Sequence, residues 1–389
     1  MRLNFCIATA LFTTVLCTPA ANAEKDVIGS GDAVADSYIV VFKDGVSASP
    51  QALLTKYKGR LKRTYSAAIS GFSVQDMSEK QARRLAADPR IAYVQRNLRM
   101  SAQDTQRWPA WGLDRIDQRN LPLDGGYTYP NRAADNVRAY VIDSGIRTTH
   151  TEFEGRASNG YDFIGDDPIA DDCNGHGTHV ASTIAGRTFG VAKRAQVVGV
   201  KVLGCNGFAD ADSVLSGIDW VTANGVRPAV VNMSLGAQGE NPAEEAAISR
   251  SIRAGFTYVL AAGNSGRDAC GFTPARLPEA ITVGATDHND TRAQFNWPDS
   301  SNFGRCVDIW APGGRVQAAS RNGDNATEVR GGTSMAAPHV AGAAALHLSA
   351  NPNATHLQVR DALVNGATTT ANLRDIRFGS PNRLLHIGR

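Results

Sequence analysis

The chain of 389 residues lacks several features that define other classes of protein. After the first 23 residues, no apolar run reaches the roughly 18 residues that a membrane-spanning helix needs. No cluster of Lys or Arg with interleaved aromatic residues is present, so the charge pattern of a nucleic-acid-binding surface is missing. Internal repeats and low-complexity tracts are also absent, and a composition of 42% hydrophobic and 20% charged residues excludes a mainly disordered chain. We therefore predict a globular protein that binds no nucleic acid and has no membrane anchor.

Lysine is scarce in the second part of the chain, where Lys193 and Lys201 stand against 24 arginines. The signs of charge are also unevenly distributed. Residues 24–100 hold 13 Lys and Arg against 8 Asp and Glu, whereas residues 101–389 hold 26 against 29. A basic segment therefore precedes a slightly acidic one, and this predicts two parts with different surfaces.

Residues 1–23 have the organisation of a secretory signal peptide. Arg2 gives a charged start, Leu3–Leu16 is apolar, and Ala21-Asn22-Ala23 is a cleavage site with small residues at its ends. A buried N-terminal helix is the alternative, but the stretch is short, terminal and followed by a cleavage site. We expect this segment to be removed on export, and the mature protein to be secreted to the extracellular space as a monomer.

Six cysteines are present, and Cys6 and Cys17 fall within the signal segment. The remaining four allow three pairings; they are Cys173, Cys205, Cys270 and Cys306. In the oxidising compartment that export implies, we expect disulfides rather than free thiols or metal ligands.

Residues 24–100 predict a small α+β domain with its core at residues 37–97. Strand patterns cover Tyr38–Phe42, Ile69–Val74 and Ile91–Gln95. Helical patterns cover residues 51–58 and 78–87, and Ser78 with Gln81 forms the capping box of the second helix. Residues 98–107 are polar and without periodicity, which predicts an exposed linker open to proteolysis.

Residues 101–389 predict an α/β domain. Strand patterns lie at Val137–Ile142, Val197–Leu203, Ala229–Leu235, Thr257–Ala262, Ala280–Ala285 and Val307–Trp310. Helical patterns lie near residues 176–186, 211–224, 242–254 and 334–349. Apolar strands that alternate with helices are typical of a doubly wound, mainly parallel sheet with helices on both faces. In such sheets, sites form beyond the carboxyl ends of the strands.

Four polar residues are placed at this edge of the predicted sheet. Asp143 directly follows an apolar strand, where a lone Asp is commonly a turn residue. His176 is flanked by glycines at a helix start, where a neutral imidazole can accept a proton near neutral pH. Ser334 lies in the first turn of an apolar helix, either as its N-cap or as a nucleophile favoured by the helix dipole. The amide of Asn264 and the backbone N–H of Ser334 are suited to hold an oxyanion.

Metal binding is a rival interpretation of the histidine segment. Cys173, His176 and His179 have a C-x2-H-x2-H spacing, but no further ligand cluster completes a zinc site. His339 is not the base for Ser334, because positions five residues apart do not share a helix face. The pattern therefore favours nucleophilic hydrolysis over zinc chemistry.

Together, and in the order Asp, His, Ser, these motifs resemble those of the subtilisin-like serine proteases of peptidase family S8. The resemblance extends through residues 108–389 and is strongest to the proteinase K branch, especially the aqualysin-type secreted bacterial enzymes. It also includes the segments Trp111–Arg119, Asp172–His176 and Ser380–Leu385. Residues 37–97 are similar to the I9-type propeptide of that family, an inhibitor and folding chaperone. The resemblance implies a subtilisin-like fold and a precursor that cuts itself within residues 98–105.

The resemblance also implies a role for each polar residue. Ser334 attacks the scissile carbonyl, His176 takes and returns the proton, and Asp143 orients and stabilises the imidazolium. Asn264 completes the oxyanion hole with the Ser334 backbone. The substrates are proteins and peptides, and no catalytic cofactor is needed.

Substrate-binding segments follow from the same resemblance. Ser234-Leu235-Gly236 and Ala261-Ala262-Gly263 line the pocket for the residue before the cut. Their small, uncharged side chains predict a roomy pocket that prefers apolar or aromatic residues. Asn206-Gly207-Phe208-Ala209 takes the place of an edge strand that binds extended substrate by β-augmentation. It departs from the usual Gly-Ser-Gly, and we hypothesise that Phe208 narrows or reshapes a distal subsite.

Disulfides and structural calcium are also implied by the resemblance. It pairs Cys173 with Cys205 and Cys270 with Cys306, each bridge contributing about 2–4 kcal/mol. Calcium, which favours hard oxygen ligands, is expected at three places. These are the Pro278 and Ala280 carbonyls with Asp308; Asp114, Asp117, Gln118 and Asp124; and Asp162 with Asp167.

Two rival functions are weighed against the protease. An esterase or lipase of the α/β-hydrolase class needs G-x-S-x-G and the order Ser, Asp, His, whereas Ser334 comes last here and is followed by Met335 and Ala336. A catalytically dead peptide-binding module has no support, because all four chemical groups are present. The sequence therefore predicts a secreted serine endopeptidase.

Overall fold

The computed structural model describes residues 24–29, 33–46, 48–100, 103–130, 132–296 and 298–388. The predicted signal segment and its cysteines lie outside these residues. The chain divides into two compact units, Met1–Met100 and Ser101–Arg389. No helix in the described part of the chain is long and apolar enough to cross a membrane.

The first unit is an antiparallel sheet covered by two helices. Its elements are β1 (Ala33–Phe42), α1 (Pro50–Tyr57), β2 (Arg60–Tyr65), β3 (Gly71–Gln75), α2 (Glu79–Ala86) and β4 (Ile91–Leu98). The strand order is β2-β3-β1-β4, with each neighbouring pair antiparallel. The capping box predicted for α2 is confirmed, since Gln81 N–H donates to Ser78 Oγ and Ser78 N–H donates to the Gln81 side chain. One core packs between the sheet and both helices, with Val40, Phe72 and Leu85 fully buried.

The second unit contains most of the chain. Its strands are β5 (Gln103–Arg107), β6 (Gly126–Pro130), β7 (Arg138–Asp143), β8 (Ala157–Asp162), β9 (Gln196–Lys201), β10 (Ala229–Met233), β11 (Ala237–Gln238), β12 (Thr257–Ala261), β13 (Phe272–Thr273), β14 (Ile281–Thr286), β15 (Ile309–Pro312), β16 (Val316–Ala319) and β17 (Thr327–Arg330). Its helices are α3 (Trp111–Ile116), α4 (His176–Ala185), α5 (Ala211–Asn224), α6 (Pro242–Arg253), α7 (Thr333–Ala350) and α8 (His356–Gly366).

A parallel sheet of seven strands forms the centre of this unit, in the order β15-β14-β12-β10-β7-β9-β8. Alternate side chains point to opposite faces. Val141, Val230 and Val259 join a core with α4 and α7, whereas Tyr140, Val231 and Tyr258 belong to a core with α5 and α6. Both faces are therefore covered, and the predicted doubly wound α/β architecture is confirmed.

Two segments that were assigned from the sequence differ in the structure. The predicted linker at residues 98–107 is wrong at its second half, because Gln103–Arg107 is a strand that pairs antiparallel with β6. Its polar alternation lacks the apolar signal of the central strands, which is why it resembled a linker. Residues 206–209 belong to a turn and not to a strand, since the Gly204 N–H donates to the Phe208 carbonyl.

Candidate active site

Three of the candidate active-site residues lie at or just beyond the carboxyl ends of the three central strands of the sheet. Strands β7, β10 and β12 are neighbours, and their residues are all buried except Arg138 at the start of β7, which is partly exposed. Asp143 is the last residue of β7, Ser234 follows β10 by one residue, and Asn264 follows β12 by three. Helices α4 and α7 supply His176 and Ser334 from their first turns. Ligands of parallel α/β sheets bind at the carboxyl ends of the strands, because the turns that follow neighbouring strands bring their side chains together at that edge of the sheet.

Asp143 and His176 form a direct pair. The His176 Nδ1 atom lies 2.8 Å from Asp143 Oδ1 and 2.9 Å from Oδ2. Asp143 is fully buried, while one fifth of the His176 side chain is exposed. Burial alone lowers the pKa of His176, but the charge and hydrogen bond of Asp143 outweigh it and leave the pKa above its ordinary value. The pair therefore stabilises the protonated imidazole that general-base catalysis generates.

Asp172 fixes the approach to α4, a role that the sequence analysis did not assign to it. Its carboxylate accepts hydrogen bonds from the backbone N–H groups of Asn174, Gly175 and Thr178 and from the Ser144 and Thr178 hydroxyls, at 2.6–2.9 Å. Ser144, adjacent to Asp143, also accepts the Gly177 N–H. The network thereby ties the β7 terminus to the start of α4. An Asp two or three residues before a Gly-rich helix start is the available sequence signal.

Ser334 is held against the end of β10. Its hydroxyl donates to the Ser234 carbonyl at 3.1 Å, and the Ser234 hydroxyl donates to the Ser334 carbonyl at 2.9 Å. The Asn232 side-chain amide donates to the Ser234 Oγ at 2.9 Å. This reciprocal contact fixes the first turn of α7 on the sheet edge.

The side-chain carbonyl of Asn264 is fully engaged. Its Oδ1 accepts from the Thr333 backbone N–H at 2.8 Å and from the Thr333 hydroxyl at 2.9 Å. A Cβ built on Gly332 lies 3.5 Å from Asn264 Nδ2 and 3.6 Å from the Ser334 backbone N, so both nitrogens border one small volume. Two N–H donors brought together in this way suit a developing oxyanion.

Comparison with known proteins agrees with this geometry. A model described as the subtilase family matches residues 135–380, and one described as peptidase inhibitor I9 matches residues 37–103. The chain is 45% identical to an extracellular serine proteinase of Thermus sp. (strain Rt41A), over 95% of this chain and 94% of that protein. It is 43% identical to alkaline serine exoprotease A of Vibrio alginolyticus, over 91% of this chain and 68% of that protein. The crystal structure of a cold-adapted subtilisin-like serine proteinase matches with a TM-score of 0.68 and 47% identity, covering 72% of this chain and 98% of the other.

The chain belongs to the subtilase family. It is accordingly a serine endopeptidase of the subtilisin-like class, which confirms the enzyme class expected from the sequence. Its first unit contains the I9-type sequence that the resemblance implied.

Two cavities of this subtilase border the residues just described. One, of about 340 Å³, is lined by Ser234–Gly236, by Ala261–Asn264 and by Ser334. The other, of about 710 Å³, is lined by His176, by Gly207 and Phe208 and again by Ser234–Gly236. Of the residues predicted to bind substrate, only Asn206 lines neither cavity among the described residues. Asn206 instead accepts the Phe208 N–H through its side-chain oxygen, and Ala209 joins the larger wall.

The four cysteines of the described chain form two disulfides, Cys173–Cys205 and Cys270–Cys306. The first removes the thiol from the C-x2-H-x2-H pattern. His179 is buried with Nε2 at 3.0 Å from the Val316 carbonyl, and burial lowers its pKa to about 3. The zinc interpretation is therefore wrong. His339 is also buried, with Nδ1 at 2.8 Å from the Met335 carbonyl.

The predicted calcium site at Asp308 does not fit the ion. Asp308 Oδ2 accepts the Thr282 N–H at 2.9 Å, and Oδ1 pairs with Arg360 of α8. The carbonyl of Glu279, between Pro278 and Ala280, contacts His356 Nε2 of the same helix. A guanidinium therefore already supplies the positive charge that calcium would bring.

At the calcium site predicted from Asp162 and Asp167, a cation of the protein is likewise paired with a carboxylate. Lys201 Nζ lies 2.8 Å from Asp162 Oδ2, while Asp162 Oδ1 accepts the Ile164 and Gly165 N–H groups. Asp167 Oδ1 accepts the Ile169 N–H. One of the two lysines of this unit thus stands beside the carboxylates, and this pair does not fit calcium either.

The third predicted calcium site, at Asp114, Asp117, Gln118 and Asp124, differs from the other two because no cation is paired with its carboxylates in the contacts described below. Asp114 and Asp124 accept backbone N–H groups within the loop, as does Gln118 Oε1. Asp117 Oδ2 accepts the Thr128 N–H at 2.7 Å, but Oδ1 is buried without a partner. Burial, together with the charges of Asp124 and Asp114, raises the pKa of Asp117 to about 6. Among the described residues, no group of three or more Asp, Glu, His or Cys side chains is arranged to hold a metal ion. The carboxylate and amide oxygens of this loop are nevertheless the kind of donor that calcium prefers.

Proposed function

We propose that this subtilase is a secreted endopeptidase in which Ser334 is the nucleophile, His176 the general base and acid, and Asp143 the group that orients the imidazole. The observation that carries the proposal is the meeting of the Asp143–His176 pair, the clamped Ser334 and the Asn264 amide at one edge of the sheet. Relatives named extracellular serine proteinase and serine exoprotease support its export.

The reaction forms and then hydrolyses an acyl-enzyme. Ser334 Oγ turns from the Ser234 carbonyl toward the imidazole and attacks the carbonyl carbon of the scissile peptide bond, while His176 Nε2 takes its proton. The Asn264 amide and the Ser334 backbone N–H receive the oxyanion. His176 returns the proton to the leaving amine. Water then attacks the ester, its proton goes to His176 and back to Ser334, and the carboxylic acid leaves.

The smaller cavity is the pocket for the residue before the cut. Its wall combines backbone with the small residues Ala261, Ala262 and Gly263, and no charged side chain of the described residues lines it. A volume of about 340 Å³ accommodates a large side chain. We therefore assign a broad preference for apolar and aromatic residues at this position.

Maturation is assigned to the enzyme itself. The I9-type sequence ends at residue 103, and the subtilase sequence begins at residue 135. Cleavage within residues 98–105 releases the first unit, which acts until then as inhibitor and folding chaperone. Calcium, when bound through Asp114, Asp117, Gln118 and Asp124, neutralises the carboxylates of that loop and has no part in the chemistry.

The decisive experiment compares the wild type with Ser334→Ala, following N-terminal sequence and casein hydrolysis with and without a serine-directed phosphonylating inhibitor. Ser349→Ala is the matched control, because Ser349 lies near the other end of the same helix and contacts Asn136. We expect the wild type and the control to mature near residue 100 and to lose activity to the inhibitor. Self-processing and casein digestion by Ser334→Ala would refute the assigned mechanism.

A further inference from the structure

The wall of the larger cavity, of about 710 Å³, combines apolar side chains with polar ones, among them the two acidic residues Glu240 and Glu244. Leu203, Val214 and Leu235 line it together with Glu244, which stands in the first turn of α6. The cavity also borders His176, so a side chain of a bound substrate can enter it while the peptide lies across the active site. Glu244 is not part of the catalytic arrangement described above.

The Glu244 carboxylate is buried and incompletely paired. The residue is only 5% exposed. Its Oε2 accepts from the Asn241 side-chain amide at 3.1 Å, whereas Oε1 is buried without a hydrogen bond. Thr273 lines the same cavity, is 4% exposed, and its hydroxyl also has no partner. Buried oxygens without donors are costly, and two of them in one wall indicate that the donors come from a ligand.

No Lys or Arg belongs to the residues that line this cavity in the described chain. Glu240 at its edge is already paired with Arg276, which also lies 3.8 Å from Glu245. Burial, with a further contribution from Glu245, raises the pKa of Glu244 to about 7. The carboxyl therefore lacks an internal cation, and it ionises fully at neutral pH only when a positive charge is brought to it.

We propose that Glu244 makes the larger cavity a subsite for a lysine or arginine side chain of the substrate. The inference rests on the proposed endopeptidase function and adds to it a second determinant of specificity, away from the residue before the cut. A basic side chain supplies both the charge and several N–H donors, and its aliphatic part packs on Leu203, Val214 and Leu235. An apolar side chain instead leaves the Glu244 and Thr273 oxygens without partners.

The test uses peptides with a fixed phenylalanine before the cut and one varied residue at each of the next three positions toward the amino terminus. Arginine is compared with citrulline, its uncharged analogue, and with norleucine. We expect the wild type to prefer arginine over citrulline at one position by about tenfold in kcat/KM, mainly through KM. In Glu244→Gln, which keeps the acceptor for Asn241, this ratio falls to near one. Glu244→Leu shifts the preference to norleucine.

Two variants serve as controls. Glu240→Gln removes a carboxylate of the same wall that already has a partner, so the arginine-to-citrulline ratio remains. Phe208→Gly changes the shape of the cavity, since this residue is 76% exposed and lines it; it alters the preference for side-chain size and not the preference for charge. An arginine-to-citrulline ratio near one at every position in the wild type, or an unchanged ratio in Glu244→Gln, overturns the proposal. Failure to cleave any peptide would instead overturn the proposed function.

Discussion

The active-site edge of the sheet and the wall of the larger cavity differ in how completely their buried polar atoms are paired. At the edge, Asp143, Ser234 and the Asn264 carbonyl all have partners within the protein, and the Asn232 Oδ1 atom behind them is the exception. In the cavity wall, the Glu244 Oε1 and Thr273 Oγ1 atoms have none. Reacting groups whose own polar atoms are paired within the protein are held in place before substrate arrives, whereas unpaired atoms in a binding wall gain their partners from what binds. The comparison thus separates residues that perform chemistry from residues that select the substrate.

The largest expected effect on activity comes from removing the Asp143 charge at the active-site edge. In Asp143→Asn, kcat falls about 10⁴-fold, because the imidazole loses the carboxylate that orients it and stabilises its charge. The pH profile also changes. The wild-type rate rises as His176 loses its proton, and the Asp143 charge places that pKa above the ordinary value. Without this charge the pKa falls, so the acidic limb of the kcat/KM profile moves to lower pH.

Steady-state kinetics between pH 5 and 10 on a small ester or amide substrate measures both quantities. Asp135→Asn is the matched control, since its carboxylate pairs on the surface with Arg132 just before β7. A profile whose acidic limb stays in place in Asp143→Asn would contradict the pairing of these two residues.

A smaller effect is expected at Thr333, which holds the Asn264 amide in position. Its hydroxyl donates to Asn264 Oδ1 and accepts the Gly263 N–H at 3.0 Å. Replacing Asn264 by Ala removes an oxyanion donor and lowers kcat by about 10²–10³-fold. Thr333→Val leaves the amide in place but loosens it, and a loss of roughly 5- to 10-fold in kcat follows from one neutral hydrogen bond of about 1 kcal/mol.

Thr333→Ser restores the hydroxyl and should recover most of the rate, because Ser keeps the same two hydrogen bonds. KM for a short peptide is expected to change little in all three variants, since the interaction develops in the transition state. An effect of Thr333→Val confined to KM would mean that the residue shapes the pocket rather than the oxyanion donor.

Sequence reasoning reached the sheet, the principal helices and the polar residues at its edge because these depend on local patterns. Strand β7 contains the apolar run Ala139–Ile142 and ends in Asp143, and α7 is an apolar helix that begins beside Ser334. The edge strand β8 was missed, since Ala157–Asp162 carries no apolar run. Strand β5 was mistaken for linker because its partner β6 lies some twenty residues further along the chain.

Pairings between distant segments were beyond local patterns for the same reason. Arg360 lies 52 residues after Asp308, and nothing in either segment indicates that a helix would bring a cation to that carboxylate. The resemblance to the family implied a calcium ion at Asp308, but in this chain the Arg360 guanidinium pairs with that carboxylate. Thr333 was adjacent to the nucleophile but was not assigned, since its hydrogen bond to Asn264 spans 69 positions.

The smallest effect concerns the carboxylates away from the active site, where the same distinction between paired and unpaired oxygens applies. Asp308 is paired with Arg360, whereas Asp117 Oδ1 has no donor. Calcium bound at the proposed Asp117 loop site stabilises the folded state by about 2.7 kcal/mol at 100 times its Kd, which corresponds to roughly 4–5 °C in Tm for a unit of this size. We therefore expect a chelator to lower the Tm of the phosphonylated mature enzyme, and Asp117→Asn to abolish this response.

Asp308→Asn should behave differently from Asp117→Asn. It leaves the partly buried Arg360 without a counterion, so Tm falls by a similar amount with and without calcium. In Arg360→Leu the Asp308 carboxylate is left without its cation, and a second calcium equivalent should appear by calorimetric titration. The opposite result is that Asp308→Asn binds one calcium equivalent fewer than the wild type. The wild type would then bind calcium through Asp308, and the Arg360 guanidinium would move aside for the ion. In that case, the ion pair of a carboxylate does not decide whether calcium binds to it.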